Sequence, residues 1–243
     1  MVDIHCHILP EVDDGAKTWE ISTQMCRMAA SDGIDHIVAT PHANHEYEYS
    51  RELHEERLAR LRVIAGNLIT FSLGCDFHFS YDNIADALLH PERYCIGNTR
   101  YLLVEFSDFA ISPMTAGHLR QLMDRGLTPI LTHPERNPIL QRDPARVLEW
   151  AADGALVQVT ANALTGRWGP IARKMSLFLL RQRAVHVLAS DAHDLKSRPP
   201  LLSAGRDEIS RIAGRETAEA LVDSNPRAIV QGKPIPYLPQ VVG

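Results

Sequence analysis

Apolar and polar positions along the chain alternate between short strand-like runs and longer helical patterns. Seven short runs rich in β-branched residues are predicted to form strands, at residues 2–6, 35–40, 69–74, 101–106, 127–132, 155–160 and 184–190. Between most of them, apolar residues recur every three or four positions, which is the spacing of an amphipathic helix. The pattern predicts helices at residues 18–32, 50–65, 81–89, 115–125, 144–152 and 170–183, with two shorter helices within 202–224.

The alternation of strands and helices predicts a parallel sheet with crossover helices. Because the seven repeats follow one another without a break in composition, we favour one closed α/β barrel of the TIM-like type, a single domain over residues 1–243. A doubly wound open sheet is the alternative. Asp143, directly before Pro144, is predicted to cap a helix. Residues 232–243 contain three prolines and are predicted to form an extended tail on the surface.

Composition and charge narrow the class of protein. A chain of 243 residues with 45% hydrophobic and 23% charged residues is typical of a globular protein with its own core. The net charge of −5 argues against nucleic acid as the main partner. No apolar run approaches the roughly 18 residues that cross a bilayer, and the first residues do not resemble a signal peptide. Four cysteines in so long a chain do not indicate a disulfide framework, so we expect a cytoplasmic protein.

Histidines and carboxylates recur where the predicted strands end. In a barrel of this type the active site lies at the carboxyl ends of the strands, and six of the seven runs end in such a residue or are followed by one. The candidates are five histidines and four carboxylates: His5, His7, His42, His133, His193, Asp14, Asp76, Glu105 and Asp191. Residues scattered over a surface would not follow the strand ends in this way.

These residue types indicate a metal centre. His5 and His7 are two positions apart on a strand, so both imidazoles point to the same side. Glu105 lies in an otherwise apolar run, where burying an unpaired carboxylate costs several kcal/mol. Nitrogen and oxygen ligands without a thiolate cluster suit Mn²⁺, Fe²⁺, Zn²⁺ or Mg²⁺. Because nine ligands exceed the needs of one ion, we expect two or three divalent ions.

Six ordered sequence blocks resemble a known family. The segments DIHCHILPEVDDGAKT, ATPHAN, LLVEFSD, PILTHPERN, VLASDAHDLKSRPP and DSNPRAIV run from Asp3 to about Val230. Together they are similar to PHP-superfamily (polymerase and histidinol phosphatase) metallohydrolases. Within this superfamily they look most like the manganese-dependent tyrosine-protein phosphatases of bacterial capsule and exopolysaccharide operons. The resemblance covers nearly the whole chain.

The resemblance implies a distorted seven-stranded (β/α) barrel that holds three metals, with manganese the expected ion. By matching motif, eight of the candidates would be ligands: His5, His7, Asp14, His42, Glu105, His133, Asp191 and His193. Asp76 stands where the family has a glutamate that bridges two ions. Because aspartate is one methylene shorter than glutamate, this chain departs from the family pattern at the bridging position. Arg136 and Arg198 match arginines that hold the substrate phosphate.

The same resemblance implies the reaction. A phosphomonoester would be hydrolysed by a hydroxide held between two ions, and the substrate would be phosphotyrosine on a protein, such as the tail of a bacterial tyrosine kinase that regulates exopolysaccharide synthesis. Asp13 and His78 are candidates for the general acid. The native metal, the physiological substrate and the oligomeric state stay open.

Other mechanisms and functions must be weighed against this one. A cysteine-dependent phosphatase needs an arginine six positions after its cysteine, and none of the four cysteines has one. Another phosphoesterase of the superfamily, acting on histidinol phosphate or as a small nuclease, remains an alternative. So does an amidohydrolase, although binuclear members usually carry a lysine where Glu105 stands. A metal-free module without catalysis is disfavoured because every ligand position holds a usable ligand.

Overall fold

The strands of this computed structural model, which describes residues 1–242, are all parallel to their neighbours. They are β1 (Val2–Cys6), β2 (His36–Ala39), β3 (His42–Ala43), β4 (Thr70–Leu73), β5 (Asp76–His78), β6 (Tyr101–Glu105), β7 (Thr128–Thr132), β8 (Leu156–Thr160) and β9 (Val187–Ala189). β1, β2 and β4 form one sheet, and β3, β5, β6, β7, β8 and β9 form a second, in these orders. The fold is therefore mixed α/β with parallel sheets.

Helices connect the strands. They are α1 (Trp19–Ser31), α2 (Arg51–Ala65), α3 (Tyr81–Leu89), α4 (Thr115–Asp124), α5 (Pro138–Arg142), α6 (Ala145–Ala152), α7 (Ala161–Leu164), α8 (Gly169–Arg181), α9 (Ser203–Ala213), α10 (Arg215–Glu219) and α11 (Asn225–Val230). A single 3₁₀ turn at Pro91–Arg93 and a π-helical turn at Ala220–Ser224 complete the described elements. Among residues 1–242, no helix is long and apolar enough to cross a membrane.

The structure has a short strand after each of two predicted strands, because β3 and β5 lie just beyond the predicted runs 35–40 and 69–74. Thr40 and Pro41 separate β2 from β3, and Gly74 and Cys75 separate β4 from β5. The breaks coincide with the change from one sheet to the other, so each chain segment pairs with one sheet before the break and with the second after it. Hydrogen bonds still run between the segments, because Gly74 N–H donates to Ala39 O and Asp76 N–H donates to Pro41 O.

The sheets also approach each other at their other edges. Just beyond the end of β9, Ala192 forms a parallel bridge with Cys6 at the end of β1. His7 N–H donates to Ala192 O at 2.8 Å, and Asp191 N–H donates to His5 O at the same distance. The carboxyl ends of the first and last strands therefore lie side by side.

Apolar side chains cover both faces of the strands, as is usual where helices pack on a parallel sheet. In β6, Tyr101 and Leu103 belong to the smaller apolar cluster, whereas Leu102 and Val104 belong to the larger one against the helices. Side chains alternate between faces along a strand. Glu105 therefore continues the row of Tyr101 and Leu103 and stands where that row ends.

The predicted helix cap at Asp143 is wrong. The short helix α5 was not predicted, and Asp143 closes its carboxyl end by donating its N–H to Ile139 O. α6 begins instead at Ala145, and its N-cap is Pro144, whose carbonyl accepts from Val147 N–H at 3.1 Å and whose side chain offers no cap. The segment after Gly232 has no helix or strand, in line with the predicted tail, whose last residue, Gly243, lies outside the described residues.

Candidate metal centre

All nine predicted metal ligands meet at the carboxyl ends of the strands. Their nitrogen and oxygen atoms form four overlapping groups, and within each group the atoms lie within 4.8 Å of one another. The groups are His5, His7 and Asp76; His5, His133 and Asp191; His42, Asp76 and Glu105; and His7, Asp14, His42 and His193. Residues from seven separate chain segments, far apart in sequence, thus share one small volume.

The first two groups form the buried floor of the site. The Nε2 atoms of His5 and His7 lie 3.3 Å apart. An oxygen of Asp191 is 3.3 Å from His5 Nε2 and 3.4 Å from His7 Nε2. An oxygen of Asp76 lies 3.4 Å from His5 Nε2 and 3.2 Å from His42 Nδ1. The side chain of Asp76, although one methylene shorter than a glutamate, therefore still reaches two of the groups.

The remaining ligands are nearer the surface. One oxygen of Asp14 lies 3.3 Å from His42 Nε2 and 3.3 Å from His193 Nε2. Glu105 stands between two histidines, with one oxygen 3.6 Å from His42 Nδ1 and the other 3.6 Å from His133 Nε2. Asp14 is the most exposed of these carboxylates, so this side of the cluster opens to solvent.

Strained backbone presents two of the ligands. His133 follows β7 with φ 33°, and Asp191 follows β9 with φ 52°. Both values lie in the left-handed region, which residues other than glycine rarely adopt and which is frequently found at functional sites.

Gly15 meets a different constraint, because a Cβ there would lie 2.2 Å from the carbonyl oxygen of His7. The loop that carries Asp14 can therefore close on β1 only with a glycine at this position.

Two buried polar residues orient the histidines of β1. His5 Nδ1 lies 3.0 Å from Gln158 Oε1, and His7 Nδ1 lies 2.8 Å from Asp13 Oδ2. When each Nδ1–H donates to its oxygen, each Nε2 is left facing the cluster. Such partners fix the tautomer and the ring orientation of metal-binding histidines. Asp13 is therefore a positioning residue and a poor general acid: burial opposes its charge, but His7 outweighs burial and lowers its pKa to about 2.

The electrostatics of the cluster suit a bound cation. Burial lowers the pKa of His5, but Asp76 and Asp191 outweigh it and raise the pKa to about 9. For His42, burial again lowers the pKa, and the nearby carboxylates raise it to about 12. Burial and the charge of Asp76 raise the pKa of Glu105 to about 8. Without a cation, the cluster can balance its carboxylates only by binding protons.

Unsatisfied polar atoms test whether metal ions fit. Both oxygens of Asp76, Oδ1 of Asp191, Nδ1 of His42 and Nε2 of His193 are buried and find no hydrogen-bond partner among residues 1–242. Buried polar atoms without partners are costly and rare in folded proteins. All of these atoms belong to the four groups. The cluster therefore fits divalent ions, which take nitrogen and oxygen ligands of this kind.

Two arginines stand beside the cluster. Arg136 and Arg198 both donate to the same carboxylate oxygen of Asp191, Arg198 at 2.6 Å. Burial opposes the charge of Asp191, but the two guanidinium groups and His5 outweigh it and keep its pKa well below the usual range. Both arginines also approach the ring of Trp168, with guanidinium carbons 4.1 Å and 5.6 Å from its centre.

A cavity of about 760 Å³ opens over the centre. Asp14, His42, Glu105, His133 and Arg136 all line it, so the predicted ligands face a space that a substrate can enter. Its other lining residues include His45, Tyr47, His78, Phe109 and Trp168.

The two tyrosines that follow His42 differ in role. Tyr47 lines the cavity with its ring nearly parallel to His42, at 5.9 Å. Tyr49 is buried away from the cavity, and its hydroxyl donates to Gly74 O at 3.0 Å. Of the two, only Tyr47 shapes the mouth of the site.

The cysteines take no part in the site. All four are buried and free. Burial raises the pKa of the Cys26 and Cys95 thiols to about 12, and it raises those of Cys6 and Cys75 well above the usual value. None of them provides the thiolate that a cysteine-dependent phosphatase needs.

Sequence reasoning missed Gln158 and Trp168. Gln158 is a polar residue within the apolar run of β8, the same signal that drew attention to Glu105. Trp168 lies in the loop after α7 between Gly166 and Gly169, and nothing in the sequence near it indicates a contact with distant arginines. Only the fold brings these three side chains together.

Comparisons with known proteins agree with this geometry. The family model described as capsular polysaccharide synthesis, CpsB/CapC, matches residues 1–231. Tyrosine-protein phosphatase YwqE of Bacillus subtilis is 34% identical over 202 residues, which are 82% of this chain and 79% of YwqE. Tyrosine-protein phosphatase CpsB of Streptococcus pneumoniae is 30% identical over 239 residues, 95% of this chain and 98% of CpsB.

A solved structure is similar over the full length. It comes from crystallographic work on YwqE of Bacillus subtilis and CpsB of Streptococcus pneumoniae, described as unique metal-dependent tyrosine phosphatases. The TM-score is 0.89 at 28% sequence identity, and the match covers 100% of both chains.

Proposed function

Because this chain belongs to the CpsB/CapC family of capsular polysaccharide synthesis proteins, we propose that it is a metal-dependent tyrosine-protein phosphatase, a hydrolase of phosphomonoesters. The observation that carries the proposal is the meeting of nine histidines and carboxylates in four overlapping groups, with two arginines beside them. A divalent cluster and fixed cations at the floor of an open cavity suit a dianionic phosphate.

The nine residues of the four groups are the proposed ligands of two or three divalent ions. Asp76, which belongs to two groups, would hold metal ions at the position of the family's longer glutamate. Mn²⁺ is the proposed native ion because the sequence resembles manganese-dependent phosphatases, and imidazoles and carboxylates without thiolates suit it among other divalent ions. When bound, the ions supply a water nucleophile of lowered pKa and positive charge that holds phosphate oxygens.

The protein itself contributes binding and orientation. The guanidinium groups of Arg136 and Arg198 offer N–H donors that suit phosphate oxygens and would neutralise the charge on them. Gln158 and Asp13 hold the rings of His5 and His7 in one tautomer. Tyrosinate, with a pKa near 10 in solution, is a tolerable leaving group. Burial lowers the pKa of His78 in the cavity wall, which makes its ring a poor proton donor at neutral pH, so we propose that water protonates the tyrosinate.

Three broader proposals accompany this function. We propose that the two sheets form one distorted seven-stranded barrel, and hence a single domain, since β2 and β3 continue each other, as do β4 and β5, and since Cys6 pairs with Ala192. We propose a phosphotyrosine-bearing protein as the substrate, such as the tail of a bacterial tyrosine kinase of exopolysaccharide synthesis. The four free cysteines support the cytoplasm as its compartment.

The function is tested by measuring phosphate release from three kinds of substrate. Chelator-stripped protein is reloaded with Mn²⁺, Fe²⁺, Zn²⁺ or Mg²⁺ and given phosphotyrosine peptides, histidinol phosphate or nucleoside monophosphates. We expect turnover only after metal is restored, and fastest turnover with phosphotyrosine. A clear preference for histidinol phosphate would instead identify a small-molecule phosphatase.

Cys95→Ser provides the matched control, because Cys95 is buried and its thiol is protonated at neutral pH. We expect this variant to keep the activity of the wild-type enzyme. A large loss of activity would instead favour a thiolate mechanism.

A further inference from the structure

Three consecutive strands bring one aromatic and two cationic side chains together beside the metal centre. Arg136 follows β7, Trp168 follows β8 and its connecting helix α7, and Arg198 follows β9. β8 is the predicted strand whose end carries no candidate ligand. Its loop instead supplies an indole to which the arginines of both neighbouring strands come close, at 4.1 Å and 5.6 Å.

A further contact is needed to hold the side chains of Arg136 and Arg198 in one geometry. Both donate to one oxygen of Asp191, so two positive charges converge on a residue that is itself a proposed metal ligand. Their long side chains have many rotamers, which they must give up to hold one geometry. Nε of Arg198 is buried and finds no hydrogen-bond partner among residues 1–242. The contact with Asp191 therefore leaves one donor of Arg198 unsatisfied.

The backbone around Trp168 holds the indole in place. Gly166 and Gly169 on either side adopt left-handed conformations, with φ 85° and 83°. Gly169 N–H donates to Gly166 O at 3.0 Å, and Arg167 N–H donates to Asn162 O at 2.8 Å. The indole is 37% exposed and lines the cavity. Trp168 is thus a fixed aromatic surface against which the two guanidinium groups lie.

We infer that Trp168 is a positioning residue that holds Arg136 and Arg198 side by side, so that their N–H groups bind one phosphate together. A cation over an indole is attracted by the negative face of the ring. The indole thereby stabilises two neighbouring cations that would otherwise repel each other or turn fully toward Asp191. The inference rests on the proposed phosphatase function and concerns the phosphate rather than the tyrosine ring.

Substitution of Trp168 tests the inference through binding of inorganic phosphate to the Mn²⁺-loaded, full-length protein. Trp168→Leu removes the aromatic face with a modest change in shape, and Trp168→Phe retains a smaller one. For Trp168→Leu, calorimetry should show phosphate binding weakened by about 3- to 30-fold. The KM values for an aryl phosphate and an alkyl phosphate should rise by that same factor, and kcat should change less. Trp168→Phe should lie between wild type and Trp168→Leu.

Trp19→Leu is the matched control. Trp19 also has an arginine over its ring, Arg60 at 4.1 Å, but it begins α1 and does not line the cavity. We expect this variant to bind phosphate like the wild-type protein. A thermal unfolding scan of each variant shows whether the fold is retained, and Trp168→Phe keeps the test decisive if Trp168→Leu does not fold.

A double-mutant comparison separates support of the arginines from other roles. In an Arg136→Gln, Arg198→Gln background, Trp168→Leu should have no further effect on phosphate binding, because its action passes through those two side chains. The inference is overturned if the loss persists in that background. It is also overturned if phosphate binding is unchanged while only aryl substrates suffer, since the indole would then contact the tyrosine ring. Hydrolysis of phosphotyrosine by the wild-type enzyme tests the proposed function separately from these ratios.

Discussion

The two ends of the strands carry histidines of opposite character. At the amino ends, His36 has both ring nitrogens in contact with hydroxyl groups, Thr70 at 2.8 Å and Ser72 at 3.0 Å. His186 accepts the Val157 N–H at 3.0 Å. At the carboxyl ends, ring nitrogens lie close to carboxylates and to one another. Nδ1 of His42 and Nε2 of His193 have no hydrogen-bond partner within residues 1–242.

The pKa values set only His5 and His42 apart from the amino-end histidines, because burial also lowers the pKa of His133 and, to about 4, that of His193. Burial lowers the pKa of His36 and of His186 to about 4, so both rings are neutral and structural. Burial acts on His5 and His42 too, but the carboxylates around them reverse its effect and raise the pKa to about 9 and about 12. The residue type is the same in both regions. Charged partners, rather than burial alone, therefore set the pKa values of His5 and His42.

Removing histidines from the carboxyl ends should have the largest effect. His5→Ala combined with His7→Ala takes away ligands from three of the four groups, so we expect turnover of an aryl phosphate to fall by more than about 100-fold. Metal analysis should find two or three divalent ions per wild-type chain and fewer in the variant. His36→Ala, at the opposite end, should retain activity. A single tetrahedral zinc in the wild-type protein would contradict the multi-ion centre.

Removing the orienting carboxylate should have the next largest effect. Asp13→Ala leaves His7 Nδ1 without its acceptor and frees the ring to turn, so we expect metal affinity or activity to fall by about 10- to 100-fold. Crystallographic or spectroscopic metal titration of the variant measures the loss. Asp13→Asn, which retains an acceptor oxygen, should lose less. Equal losses in the two variants would show that charge, and not ring orientation, is what Asp13 contributes.

Acid should release the metals. The raised pKa values of His5 and His42 mean that protons occupy these rings at neutral pH when no metal is present, so metal binding must displace them. Apparent metal affinity should fall by about tenfold per pH unit for each proton displaced, and activity should fall below about pH 6. Calorimetric titration with Mn²⁺ in buffers of different ionisation enthalpy counts the protons. Metal binding without proton release would argue against the proposed ligand set.

The amino-end histidines should affect only stability, and by the smallest amount. Because the pKa of His186 is about 4 in the folded protein and near 6.5 when unfolded, the unfolded chain binds a proton first as the pH falls. Its contribution to stability is present above pH 6.5 and is lost progressively between pH 6.5 and 4, by about 1–3 kcal/mol. His186→Asn, which retains an acceptor for Val157, should flatten this loss in denaturation of metal-free protein. An unchanged pH dependence would mean that His186 does not titrate as described.

The sequence predicted the strands better than the connections between them. β1 begins and ends at the predicted residues, because Val2, Ile4 and Cys6 alternate with polar residues at the spacing of a strand. The short strands β3 and β5, just beyond the second and third predicted strands, were missed, since an exchange of partner between sheets leaves no mark in the apolar pattern. The sequence predicts a helix start at Asp143 because α5, the short helix before it, has too few residues to show a detectable period.

The nine candidate ligands could be found from sequence because their identities follow a rule of position. Each lies at or just beyond the carboxyl end of a predicted strand, and parallel strands bring those ends together whatever the intervening sequence. Gln158 could have been found by the same reasoning that selected Glu105. Trp168 could not, because an indole in a loop has no chemistry of its own to mark it.

Local sequence therefore determined which segments form strands and which ligand types stand at their ends, because both depend on short-range pattern and residue chemistry. Only the tertiary structure decided how those ligands divide into groups, which histidines are left without partners, and that Trp168 comes to lie beside Arg136 and Arg198. These features depend on distances between residues remote in the chain. Such distances are set by the packing of whole elements, which no local pattern encodes.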